Sequence, residues 1–209
     1  MEPIIQFKDF SFKYRAQKEP TLKDINLSIY PGEKVLIVGP SGSGKSTLAH
    51  CINGLVPFSY EGEISGEYFV KGRNPRELGI FELSQTVGTV LQDTDGQFVG
   101  MTVAEDIAFA LENDCVPAKE MYETVDRAAG MVDIETLLDK NPTELSGGQK
   151  QRVSMAGVIV CNVDILLFDE PLANLDPATG KRTIDLIDRL SKEQKTTVVI
   201  IEHRLEDAL

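Results

Sequence analysis

Between Ile4 and Tyr14 apolar and polar side chains alternate: Ile5, Phe7, Phe10, Phe12 and Tyr14 stand among Gln6, Lys8, Asp9, Ser11 and Lys13. A period of two predicts a strand with one buried face, and the alternation slips near Asp9–Phe10. After a polar loop over Arg15–Pro20, Leu22–Ile29 reads as a second strand, followed by a turn at Pro31-Gly32. Lys34–Val38 is a continuous apolar run of the kind buried on both faces of a sheet, and it leads straight into a Gly-rich segment. Ser46–Leu55 is predicted as a helix, and Glu63–Val70 and Thr86–Leu91 as strands. Helical spacing then takes over in Val103–Leu111, Lys119–Met131 and Ile134–Leu138. A helix over Gln149–Val160, a buried strand over Ile165–Phe168, a helix over Ala178–Ser191 and a buried strand over Thr196–Ile201 complete the pattern. The expectation is an α/β fold: a parallel sheet with helices, an antiparallel β front end and an inserted helical subdomain.

The 209 residues fit one large domain or a core with an inserted subdomain, long enough to bury a core without staples. No apolar stretch approaches the ~20 residues of a membrane span. Met1-Glu2-Pro3 does not begin a basic, apolar signal segment, so a cytoplasmic setting is expected. A formal charge of −12 argues against nucleic acid and anionic lipid as partners. It leaves room for a local positive site. Cys51, Cys115 and Cys161 are far apart without metal-type spacing, and are expected to be reduced and mostly buried.

The Gly-rich segment, Gly39-Pro40-Ser41-Gly42-Ser43-Gly44-Lys45-Ser46-Thr47, has the spacing of a phosphate-binding P-loop between a predicted strand and a predicted helix. Glycines let backbone N–H groups curl around a β-phosphate, and the helix dipole points at the same anion. Lys45 is expected to neutralise β/γ oxygens, Ser46 to ligate Mg²⁺, and Thr47 to reach an α-phosphate. Farther on, Asp169-Glu170 follows the buried strand Ile165–Phe168, at the sheet end where open α/β folds bind ligands. Asp169 is expected to hold Mg²⁺ through its water shell, and Glu170 to polarise an attacking water as general base. A solvated acidic turn is the plain alternative for this pair.

Leu145-Ser146-Gly147-Gly148-Gln149, followed by Lys150-Gln151-Arg152, resembles the signature motif of ATP-binding-cassette ATPases. Pro171-Leu172-Ala173-Asn174-Leu175-Asp176 resembles their D-loop, His203 their switch histidine, Gln92 their Q-loop glutamine and Tyr14 their adenine-stacking aromatic. The resemblance covers essentially the whole chain. It implies a P-loop NTPase core of RecA-like type over residues 1–92 and 156–209, with a helical, signature-bearing subdomain over residues 93–155. It also implies ATP and Mg²⁺ as cofactors, Gln92 beside the metal and the γ-phosphate, and a head-to-tail dimer with a second such ATPase domain. In that dimer Ser146, Gly147, Gly148, Gln149 and Asp176 serve the ATP held by the partner. The residues agree: Ser146 and the N–H groups of Gly147 and Gly148 precede the helix Gln149–Val160, a second anion-binding helix start in one chain.

Plainer readings exist for single residues. Gln92 fits a polar loop, His203 a surface histidine at a helix start, Tyr14 a residue packed in its sheet, and Asp176 a helix cap before Pro177. His50, mid-helix behind the P-loop, reads as structural. Within the family, Gln92 to Asn113 and Glu202-His203-Arg204 resemble the ATPase of energy-coupling factor importers, which take up vitamins and metal ions. Asp93-Thr94-Asp95-Gly96 departs from the Asn-Pro-Asp-Asn-like run common there. The resemblance implies an ATP-hydrolysing subunit on the cytoplasmic face of a membrane, bound to a membrane-embedded subunit. Phe98, Val99 and Met101 are expected to line a groove for one of that subunit's helices, the plainer reading being that they pack within the helical insert. The competing readings are a soluble ATPase of DNA repair or translation, and a nucleotide-gated clamp that does not turn ATP over. Family members continue past the position of Leu209, so a shortened chain is expected, with His203 poorly held and unable to reach a γ-phosphate reliably.

Overall fold

The structure is a computed structural model that describes residues 2–91, 96–173 and 175–203. In chain order the elements are β1 (Ile5–Tyr14), β2 (Leu22–Ile29), β3 (Lys34–Val38), α1 (Lys45–Ile52), α2 (Leu55–Phe58), β4 (Gly62–Val70), α3 (Ile80–Ser84) and β5 (Val87–Val90). Then come α4 (Val103–Asn113), α5 (Ala118–Met131), α6 (Gly147–Ile159), β6 (Ile165–Asp169), α7 (Pro177–Gln194) and β7 (Thr197–Glu202). β1, β2 and β4 form an antiparallel sheet in the order β2-β1-β4; the other four strands form a sheet in the order β3-β7-β6-β5. The pairings of that second sheet are parallel.

The slip in the alternation of β1 is a bulge. The register shifts between Phe7 and Phe10 against β2 and between Lys8 and Ser11 against β4, with Asp9 at φ 47°. The extra residue turns Phe10 to the same side as Phe7, and both are buried. Across the ladder a Cβ on Gly66 would lie 2.2 Å from the Asp9 carbonyl oxygen, so the bulge needs glycine opposite it.

Period two also sorts the parallel sheet. Ile165 and Leu167 of β6, with Val199 and Ile201 of β7, face a core shared with α1 and the antiparallel sheet. Leu166, Phe168 and Val198 face the other way, into a core completed by α4, α5, α6 and α7. Of these helices, α6 comes closest to the sheet: a Cβ on Gly88 of β5 would stand 2.1 Å from a methyl of Val158. A residue with a side chain at 88 would push α6 off the strand.

Several expectations need correcting. β3 is not buried on both faces: Lys34 and Val38 are exposed and Val35–Ile37 half-buried. It ends its sheet among the described residues, with β7 alone beside it. Cys115 is exposed, in the turn after α4, whereas Cys51 is buried and Cys161 half-buried; all three are free. Burial pushes the Cys51 thiol up to about 12. The helical spacing at Ile134–Leu138 becomes a single 3₁₀ turn over Glu135–Leu137. The short helices α2 and α3 have too few residues to show a period. Among the described residues no helix is long and apolar enough to cross a membrane.

Candidate nucleotide site

The P-loop connects the end of β3 to the start of α1. Gly42 and Gly44 take positive φ, 80° and 93°. At Gly44 a Cβ would also lie 3.0 Å from the Thr21 carbonyl oxygen, so both conformation and space call for glycine. Gly39 packs against Ser43, while Ser41 is exposed at the tip. Lys45 is buried, and its ammonium donates to the carbonyls of Gly39 at 2.7 Å and Pro40 at 3.1 Å. The loop thus carries its own cation at the N-terminus of α1. Ser46 and Thr47 follow in the first turn, and the Tyr14 hydroxyl lies 3.0 Å from that of Thr47.

Across from the loop, β6 ends in Asp169. Glu170 follows at φ 52°, its N–H donating to the Ile201 carbonyl at 2.9 Å, and the residue is 7% exposed. His203 stands just past β7. Its Nε2 is 2.7 Å from Glu170 Oε1 and its Nδ1 is 3.4 Å from Lys45 Nζ. An ammonium is donor only, so Nδ1 is the acceptor and the ring proton sits on Nε2, donated to the carboxylate. In this arrangement each ring nitrogen of His203 has a partner, so the side chain is tied to both Glu170 and Lys45. Lys45, His203 and Glu170 form one chain of contacts between the P-loop and the ends of the central strands.

Asp169 tests the fit of a metal. Its Oδ1 is buried and, among the described residues, has no hydrogen-bond partner. Burial, and then the neighbouring Glu170, push its carboxyl above the usual carboxylate range, opposed by Lys45, a hydrogen bond from Ser46 and His203. An orphan carboxylate oxygen beside a hydroxyl suits a hard divalent cation, so Asp169 and Ser46 fit Mg²⁺. A raised folded-state pKa means that stability is lost as pH rises through it. Asp169→Asn is therefore expected to raise the melting temperature at neutral pH without metal, by about 2–4 °C per kcal/mol of relieved charge, while Mg²⁺-dependent turnover collapses. The gain should vanish below the ordinary aspartate range, near about pH 4. Scanning calorimetry at both pH values checks this; a lower neutral-pH melting temperature in the variant contradicts it.

At the other end, Ser146 caps α6 through a reciprocal box. Its N–H donates to Gln149 Oε1 at 2.9 Å and its hydroxyl accepts from Gln149 N–H at 3.4 Å. The helix accordingly starts at Gly147, two residues before the expected Gln149, and Gly147 and Gly148 lie inside its first turn. A Cβ on Gly148 would press on Thr179 of α7 at 2.9 Å. Asp176 caps α7, accepting from the N–H groups of Ala178 and Thr179. The Thr179 hydroxyl, foremost among these donors, holds its carboxyl below the usual range. Ser146, Gly147, Gly148, Gln149 and Asp176 line an open cavity of about 470 Å³ together with Arg182, and no P-loop residue lines it. This cavity and the P-loop are thus two separate sites on one chain.

Gln92 lies outside the described residues. The loop after it presents Val99 and Met101, 65% and 78% exposed. Asp106 accepts from the N–H groups of Val99 and Gly100, and Glu105 from those of Met101 and Thr102, which ties the loop to the start of α4. Phe98 departs from its expected role, since it packs against the helical core. Sequence reasoning also missed Glu202, buried beyond Ile201, whose carboxylate accepts from Leu172 N–H at 3.0 Å. Gln151 likewise donates to the Pro171 carbonyl. Both brace the segment after Glu170, a role that their places in Lys150-Gln151-Arg152 and Glu202-His203-Arg204 did not announce.

A P-loop at the end of a parallel strand, an antiparallel front sheet and a helical part define a P-loop NTPase cassette. The family model described as ABC transporter matches residues 22–173. A protein of Clostridium perfringens named an ABC transporter ATP-binding protein is 64% identical over 206 residues, 99% of this chain and 36% of that protein. A likewise named protein of Enterococcus faecalis is 64% identical over 208 residues, 100% of this chain and 37% of that protein. The chain thus spans little more than a third of these relatives. Among solved structures, cbiO1 from Clostridium perfringens, part of the ABC transporter complex cbiONQ, matches with a TM-score of 0.89 and 33% identity, covering 98% of this chain and 80% of that one. The dimeric bacterial ABC transporter cassette MJ0796 matches with a TM-score of 0.83 and 30% identity, covering 98% and 90%. It has also been solved as a dimer in a post-hydrolysis state with ADP and Pi, at a TM-score of 0.82. The chain belongs to the ABC transporter ATP-binding family.

Proposed function

We propose that this domain powers a membrane importer of the energy-coupling factor type, on the cytoplasmic face of the membrane, for a vitamin or metal ion. The observation that carries the chemistry is the chain Lys45–His203–Glu170 beside the orphan oxygen of Asp169. In this reading the P-loop N–H groups and Lys45 bind the β- and γ-phosphates of ATP, and Tyr14 stacks on adenine. Glu170 orients and deprotonates the attacking water, with its carboxylate oriented by His203. Asp169 and Ser46, with Gln92, would hold Mg²⁺, which supplies charge neutralisation at the phosphates. The half-site at Ser146–Gln149 serves ATP on a second ABC domain, which explains why it shares no cavity with the P-loop. Residues 93–155 act as the helical subdomain and the flanking segments as the nucleotide-binding core.

Likeness to cbiO1 and the exposed pair Val99 and Met101 support the transport reading. Two apolar side chains on a loop pinned by Glu105 and Asp106 suit a helix of a membrane subunit. Val99→Asp with Met101→Asp, in the full-length protein with its membrane subunits, is expected to abolish uptake while retaining ATP hydrolysis. Uptake in vesicles measured beside phosphate release checks this. Undiminished uptake would rule out this loop as the docking point.

A further inference from the structure

The aromatic cluster around Tyr14, beside the P-loop helix, includes two rings, Tyr60 and His50, that belong to none of the motifs. Tyr60, in the loop before β4, stacks on His50 of α1 with centroids 4.7 Å apart and planes 24° apart. It also meets Tyr14 nearly perpendicular, at 6.1 Å and 85°. Phe12 approaches Tyr14 in the same manner, at 4.7 Å and 77°. Among the described residues no ring lies parallel to Tyr14. Thr47 and His50 are three residues apart on α1 and so share one side of it. That side meets Tyr14 at Thr47 and Tyr60 at His50, in two successive contacts one turn apart.

The Tyr60 loop is itself anchored to the end of β1. Tyr14 pairs with Gly62 in the ladder, and Arg15 N–H donates to the Glu61 carbonyl at 3.4 Å. Ion pairs flank Tyr14 on both sides, Lys13 with Glu63 at 3.0 Å and Arg15 with Glu61 at 2.7 Å. On the other side, the N–H groups of Ser59 and Tyr60 both donate to the Leu55 carbonyl at 2.8 Å. A Cβ on Gly62 would lie 2.3 Å from the Lys13 carbonyl oxygen, so the two backbones touch where the cluster begins. Tyr60 is 43% exposed, too open to be explained by core burial.

We propose that Tyr60 is a positioning residue of the base site: braced on His50, it fixes the height and tilt of the Tyr14 ring over α1, so that a purine stacked on Tyr14 is in register with a triphosphate in the P-loop. This rests on the reading that ATP binds with its adenine on Tyr14. Tyr14 stands at the last residue of β1, before a polar loop, where the ladder alone does not fix the ring. Perpendicular ring contacts are directional, and here the second ring is tied to the same helix that begins at the phosphates. Loss of Tyr60 therefore costs base binding and leaves phosphate binding intact.

The test is calorimetric binding of ATP and of inorganic tripolyphosphate to the full-length protein, in the parent and in Tyr60→Ala, Tyr60→Leu, Tyr60→Phe and Tyr14→Ala. Tyr60→Ala and Tyr60→Leu are expected to weaken ATP by about 2–12-fold, the span of one ring–ring contact, and to leave tripolyphosphate unchanged. Tyr60→Phe should restore the parent ratio of the two affinities. Equal losses for both ligands, or no loss for either in the folded Leu variant, overturn the proposal. If Tyr14→Ala also leaves the ratio unchanged, it is the base-stacking reading beneath it that fails; if Tyr14→Ala shifts the ratio and Tyr60→Leu does not, the failure is confined to Tyr60.

Discussion

Glu170→Gln is expected to bind ATP with near-parent affinity and to turn it over about 10²–10⁴-fold more slowly, the usual span for a positioned general base. The amide keeps an oxygen where Glu170 Oε1 accepts the His203 Nε2 proton at 2.7 Å, so the residue's tie to β7 through its backbone and to His203 through its side chain survives. What disappears is the basicity. Single-turnover hydrolysis beside equilibrium ATP binding separates the two. Parent-rate turnover would remove Glu170 from the base role and leave His203 as the group to test next.

Lys45→Ala acts at the opposite end of the same chain of contacts, and its effect should appear in binding. The ammonium is held by the carbonyls of Gly39 and Pro40, ready to exchange them for phosphate oxygens. Truncating one side of a buried charge pair typically costs 2–5 kcal/mol, so ATP affinity should fall by about 30-fold or more. The two half-sites add a second readout. Chains carrying Lys45→Ala mixed with chains carrying Ser146→Arg should hydrolyse ATP faster than either alone, because one composite site then keeps both halves. Absence of rescue where dimers form would refute a shared site.

The parts of this fold legible beforehand were those with a local signal. β2 was readable to the residue from Leu22–Ile29, and the slip at Asp9–Phe10 marked where β1 bulges. The P-loop and the acidic pair were readable because their chemistry demands fixed residue types at fixed spacing. What was not legible depended on neighbours distant in sequence. An apolar run such as Lys34–Val38 looks the same at the centre of a sheet and at its end. Gly147 and Gly148 look like loop until the Ser146–Gln149 box draws them into a helix. Tyr60 sits in a short segment between a four-residue helix and a strand, with no periodicity to assign its ring a direction. His203 had a recognisable motif position, but its two ring partners lie 33 and 158 positions earlier in the chain (203 − 170 and 203 − 45).

The glycine at 88 also has a mechanical meaning. With Val158 seated directly on β5, the C-terminal end of α6 is fastened to the sheet, while Ser146 stands at its other end, where Gly148 rests on Thr179 of α7 and Gln151 donates to the Pro171 carbonyl. At 1.5 Å of rise per residue, the twelve positions between Val158 and Ser146 make an arm of about 18 Å. A tilt of about 10° at the fastened end swings the tip by roughly 3 Å, a full hydrogen-bond length. β5 runs directly before the segment that carries Gln92, so a cant of this one strand that α6 followed as a rigid body would be felt at Thr179 and at the Ser146 turn.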